Sequence, residues 1–250
     1  MEGYFTNDIF IYILLLLAGG ISYIISTLAG GGGSLLLVPI VNLLIGTKVS
    51  APVINLGNLI GEPIRVVMFW KYIDWKVTKY YVPPAIAGSV TGAWLFSNLR
   101  LEWLQVIIGL FLISTIFQYR LGRKERSYRM KLKGFIPLGL FIGFFSTLVG
   151  AVGPVLNPFF LNYGLQKEPM IATKTANSFL VGLVQISTYT AFGTLQGKLW
   201  IFGLVLGIGA TLGNWLGKIF LEKISNKLFR QFVIWVMVIS GAIMIMRSIL

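Results

Sequence analysis

The chain is 250 residues long, 56% hydrophobic and only 12% charged, about half the charge fraction of an ordinary soluble domain. It has no Cys and no His, which excludes disulfides and thiolate metal sites and removes the commonest general base and metal ligand. The formal charge of +13 does not point to nucleic acid, because the basic residues lie in loops between apolar runs and crowd into one of them.

Apolar runs recur from end to end, the pattern of an all-α polytopic membrane protein. The short alternating segments of a β-barrel are missing. The runs cover 9–29, 34–46, 51–70, 80–98, 102–119, 134–150, 154–165, 169–192, 199–217 and 230–249. Glu2 and Asp8, not a basic region, precede the first, so it reads as a span rather than a cleaved signal peptide. At its end comes Leu28-Ala29-Gly30-Gly31-Gly32-Gly33-Ser34, four glycines between two apolar segments. Such a run turns sharply and bares backbone N–H groups. Beside a helix start it makes an anion site. Segments 34–46 and 154–165 are too short to span comfortably; either they cross, or they dip in and turn back at the glycines.

The third segment carries Asn55, Asn58, Glu62 and Arg65, spaced to share one helix face. Two readings stand. Glu62 and Arg65 pair and lock the helix, or Arg65 binds an anion while Glu62 takes a coupling proton, as a carboxyl in a poorly solvated site can. Pro63 frees a backbone carbonyl one turn earlier. Next comes the loop 120–133, with Arg120, Arg123, Lys124, Arg126, Arg129, Lys131 and Lys133, cytoplasmic by the positive-inside rule. With ten crossings, the basic residues at 71–79, 167 and 218–230 fall on the same side, and only Lys48, Arg100, Lys198 and Arg247 fall outside. Whether the short segments cross or re-enter, each half crosses an odd number of times, so the halves are inverted.

The second half repeats the first at an offset of about 120 residues. Ser26-Thr27-Leu28-Ala29-Gly30 matches Ser146-Thr147-Leu148-Val149-Gly150, Gly33 matches Gly153, Pro39 matches Pro158, and Asn58 matches Asn177. Gly88-x3-Gly92-x-Trp94 matches Gly209-x3-Gly213-x-Trp215. The organisation is therefore a first repeat over 9–119, the basic loop 120–133 and a second repeat over 134–249, the inverted-repeat build of many secondary transporters. Small residues one turn apart let helices pack closely, either within one chain or between two copies in a homodimer. Lys174 aligns with Asn55 and Val181 with Glu62. Lys174, near a helix start, either binds solute or snorkels to the headgroups.

The glycine run 28–34 with Val38-Pro39, then Gly150-Ala151-Val152-Gly153-Pro154 and Ala172-Thr173-Lys174-Thr175-Ala176-Asn177-Ser178, resembles the sulfite exporter TauE/SafE family over about residues 10–248. The resemblance implies transport of a small sulfur-containing anion (sulfite, thiosulfate, sulfoacetate or a similar organosulfonate) across a bacterial inner membrane. The residues then suggest a site. Backbone N–H groups at Gly31, Gly32, Gly33 and Ser34, and at Gly150 and Gly153, bind the oxyanion. Ser26, Thr27, Ser146, Thr147, Asn58 and Asn177 complete the shell, with Arg65 and Lys174 as cations and Glu62 as the proton carrier. No cofactor or metal is called for. Competing readings are an anion channel, a non-transporting subunit of a larger complex, and an intramembrane enzyme, the last lacking paired carboxylates.

Overall fold

The computed structural model describes residues 2–31, 33–95, 110, 112–114, 117, 127–149 and 153–249; at 2–8, 33–35, 47–48, 93–95, 148–149, 244 and 247–249 it describes the backbone alone. The segment 102–119 and most of the basic loop therefore lie outside the described residues. What is described is helical throughout: α1 (Glu2–Leu28), α2 (Gly33–Ile45), α3 (Thr47–Phe69), α4 (Trp75–Leu95), α5 (Phe135–Val149), α6 (Gly153–Tyr163), α7 (Lys167–Ala191), α8 (Lys198–Leu221) and α9 (Asn226–Ile249), with short 3₁₀ turns at Trp70–Tyr72 and Leu132–Gly134.

Three stretches are long and apolar enough to cross a membrane: Ile9–Leu28, Lys198–Leu221 and Asn226–Ile243. The outer face of α1 shows why. Ile9, Ile13, Leu17 and Ile21 are exposed at one-turn spacing, while Leu15, Ser22, Tyr23 and Ser26 are buried on the other side. α3, α4 and α7 have the length of a span, with 23, 21 and 25 residues. Their buried polar residues lower their hydropathy. α2 and α6, with 13 and 11 residues, extend only about 20 and 16 Å, short of a hydrocarbon core of about 30 Å. α3 runs unbroken through Pro52 and Pro63.

Helix α1 packs along α8, α4 along α5, and α3 against both α7 and α8, while α7 also meets α4. Two of these seams bring backbone against backbone. A Cβ on Gly209 or Gly213 would lie 2.1 Å from Leu16 O or 2.2 Å from Gly20 O, and one on Gly88 or Gly143 would lie 2.1 Å from Leu140 O or 2.0 Å from Ala85 O. Both Gly-x3-Gly pairs thus face neighbours in the same chain, the close small-residue packing that stands in for a hydrophobic driving force in lipid.

One end of the bundle gathers the basic segments. Ser127 and Tyr128 N–H donate to Asn162 Oδ1 (2.7 and 3.1 Å) and Met130 N–H to Asn162 O (3.2 Å). Asp74 N–H donates to Thr173 Oγ1 (2.9 Å) and Arg230 to Gln166 Oε1 (2.8 Å). The 70–79 turn, residues 127–130, the α6–α7 connection and the start of α9 therefore share that end. Trp70 and Trp75 meet edge-on there, with ring centroids 5.2 Å apart, an arrangement suited to a membrane interface.

Candidate functional site

Between α3 and α7, closed by the ends of α1 and α5, lies a polar cavity of about 120 Å³, room for several waters at about 30 Å³ each or for one small ion. α3 lines it with Asn55, Asn58, Glu62 and Arg65, a single stripe. α7 answers with Lys174, Asn177, Ser178, Val181 and Gln185. Tyr23, Ser26 and Ser146 come from α1 and α5. Aligned positions of the two halves meet here: Ser26 with Ser146, Asn55 with Lys174, Asn58 with Asn177, and Glu62 with Val181.

Several of these buried groups have polar atoms without a hydrogen-bond partner: Asn58 Oδ1, Glu62 Oε2, Arg65 Nε and both amide atoms of Asn177. Buried polar atoms are nearly always satisfied in folded proteins, so a cluster of exceptions around one cavity marks a place that a solute or water completes. Glu62 and Arg65 are both buried, yet among the described residues they form no ion pair. Their charges still act on each other at longer range. Asn55 is held differently, its Nδ2 donating to Tyr189 OH (3.1 Å), which donates to Thr147 O (2.6 Å).

Lys174 does not snorkel. It is buried, and its ammonium donates to Gly30 O, to Asn157 Oδ1 and to Gly153 O (3.1 Å). Those three bonds engage all three of its N–H groups, so it brings charge to the cavity rather than a free donor. They also bring Gly30, in the break before α2, close to Gly153, the first residue of α6. Gly30 and Gly31 adopt φ of +65° and +113°, where glycine alone is unstrained. Gly31 N–H donates to Ser26 O (2.7 Å) and is not open to a solute. Gly31 and Gly153 do line the cavity, but at Gly153, expected to offer its N–H to an anion, the carbonyl oxygen faces a cation, as it does at Gly30.

Two residues assigned to the shell lie away from it. Thr27 is buried and donates to Asn214 Oδ1 (3.1 Å). Thr147 donates to Gly143 O (3.0 Å) and accepts from Gln185 Nε2 (2.9 Å). Each adjoins a cavity serine in sequence, but one residue on a helix turns the side chain by about 100°. Gly32 and Gly150 lie outside the described residues; Gly33 and Ser34 open α2. Tyr23 and Tyr81 line the cavity unanticipated, as did the role of Asn157. The one signal for Asn157 was an amide inside a short apolar segment, which Asn162 shares.

The model of a family described as sulfite exporter TauE/SafE matches residues 15–244. The chain belongs to the TauE/SafE family. A TauE/SafE chain is thereby a membrane transporter, and its apolar helices fit that class. It is 27% identical over 207 residues to the "Probable membrane transporter protein YtnM" of Bacillus subtilis (strain 168), covering 75% of this chain and 68% of that one. No solved structure matches.

Proposed function

We propose that this chain is a proton-coupled secondary transporter that carries a small sulfur-containing anion across the bacterial inner membrane by alternating access. The observation that carries the reading is the unpartnered set around the cavity. Arg65 Nε, Asn58 Oδ1 and the Asn177 amide are buried with nothing to bond. Two cations, Arg65 and Lys174, face one acid, Glu62, so the cavity favours an anion. Charge-assisted bonds from guanidinium to an oxyanion are the strong ones. The family name, sulfite exporter, points to the same solute class.

An inverted repeat suits this packing. α1 against α8 and α4 against α5 are corresponding pairs if the halves are related by a two-fold axis in the membrane plane, and the shared glycine seams follow the same correspondence. α2 and α6 then act as half-helices re-entering from opposite sides, and rocking of the halves would expose the cavity alternately. Irregular backbone at such depth is tolerable where protein covers it, as Met170, Phe229 and Val233 cover Gly30.

A thermal-shift screen of the purified chain against sulfite, thiosulfate, sulfate, sulfoacetate and taurine, with acetate as control, tests the solute class. Stabilisation by a sulfur oxyanion and not by acetate is expected; a preference for carboxylates would sink the assignment. Saturable, proton-dependent flux of that solute in liposomes holding only this protein would separate a carrier from a channel. For topology, single cysteines at Ser127 and Thr6 should label from opposite faces of the membrane, with the 120–133 loop cytoplasmic.

A further inference from the structure

We infer that Gly30 O, Gly153 O and Asn157 Oδ1 form a monovalent-cation site whose resident ion is this protein's own Lys174 ammonium, tethered where a free alkali cation or small ammonium would otherwise bind. The oxygens come from the break before α2 and from the first two turns of α6, and converge on one nitrogen. Asn157 is oriented for the task, because its Nδ2 donates to Ala29 O (3.5 Å) and leaves Oδ1 to face the lysine. Three acceptors round one nitrogen require three N–H groups, which the ammonium has and the neutral amine lacks.

The site is built rather than incidental. Asn157 is fully buried and Lys174 is 7% exposed. A Cβ on Gly31 would stand 2.6 Å from Lys174 Nζ, so the glycine leaves the nitrogen its space. Unwound carbonyls at broken helices are the groups that coordinate sodium in other transporter folds. Here the cation cannot dissociate. Gly30 and the start of α6 are held together with no dependence on external sodium. The inference stands whichever solute the cavity takes.

Lys174→Met tests it. Methionine keeps most of the stem and ends one atom short of the nitrogen, leaving the oxygens facing a hole of ionic size. Melting temperatures of the purified full chain are compared in sodium, methylammonium and choline chloride at equal ionic strength. The wild type should be indifferent to the cation. Lys174→Met should melt lower in choline and be stabilised saturably by sodium or methylammonium. A variant that melts like the wild type in choline, or one that is lowered and equally indifferent to all three, overturns the site. If Lys174→Met does not fold in any of them, Asn157→Asp decides. A carboxylate beside a resident ammonium should raise the melting temperature, whereas beside an ordinary polar contact it would add an uncompensated buried charge and lower it.

Discussion

The two helices that face each other across the cavity carry aligned stripes and use them oppositely. On α3, Glu62 and Arg65 are buried, form no ion pair among the described residues and are left with open polar atoms. In the stripe that α7 turns to the cavity the one charge, Lys174, is bonded to three oxygens, and the position aligned with Glu62 is Val181. One helix leaves polar atoms of its charged groups open, and the other bonds its ammonium to Gly30, Gly153 and Asn157. If α3 binds the solute as proposed, binding and holding fall to different helices, since the same ammonium cannot be both fully coordinated and available. Only the Asn58 and Asn177 pair is alike on both sides, each with unpartnered amide atoms.

The sharpest way to break this comparison is Arg65→Gln. It removes the free cation and strands Glu62 beside the cavity. Loss of a charge-assisted bond is worth about 1.5–3 kcal/mol, roughly tenfold to a hundredfold in affinity. Titration calorimetry with the best solute of the screen should register that loss while the melting temperature changes little. Undiminished affinity would move the binding role away from α3. Gly31→Val should invert the pattern. Its Cβ meets the Lys174 ammonium and its φ of +113° strains any side chain. About 1–3 kcal/mol of stability should go, read as a lowered melting temperature, because the damage is to the contacts of Lys174 with Gly30 and α6.

Those two residues also mark how far sequence reasoning reached. Hydropathy located the helices, and 34–46 and 134–150 differ from α2 and α5 by one residue at each end. It missed helix starts that caps define. α4 begins at Trp75 rather than 80, because Asp74 Oδ1 accepts from Lys76 N–H (3.0 Å) and Val77 N–H (3.2 Å). α9 begins at Asn226 because Ser225 Oγ accepts from Leu228 N–H (3.2 Å). Both are ordinary N-cap signals lying in polar stretches that a hydropathy reading passes over. The α3 stripe was legible from helical spacing alone. The destination of Lys174 was not. Its acceptors belong to other helices, and Gly30 is 144 residues away.

The Asn58 and Asn177 pair yields a smaller effect. Asn177→Ala removes two unpartnered polar atoms and Asn58→Ala at least one. Each should cost about 1 kcal/mol of solute binding, and Asn177→Ala the more. Equal and negligible losses would mean that water, not solute, completes these amides.

The smallest effect on affinity should come from Glu62→Gln, and it bears most directly on mechanism. Glu62 is buried at the cavity with Oε2 open, Ser178 facing its carboxyl and no ion pair to Arg65. A carboxylate there repels an anion, whereas the protonated acid does not. Proton uptake and anion entry therefore favour each other, and by linkage each should strengthen the other's binding by the same factor. The wild type should bind the solute more tightly as the pH falls and accumulate it in liposomes when an inward proton gradient is imposed. Glutamine mimics the protonated acid in size and charge. The variant should thus bind at least as tightly as the wild type at neutral pH, lose the pH dependence and equilibrate solute without accumulating it. An unchanged pH profile in Glu62→Gln would show that the proton is carried elsewhere. The asymmetry between α3 and α7 would then concern the anion alone.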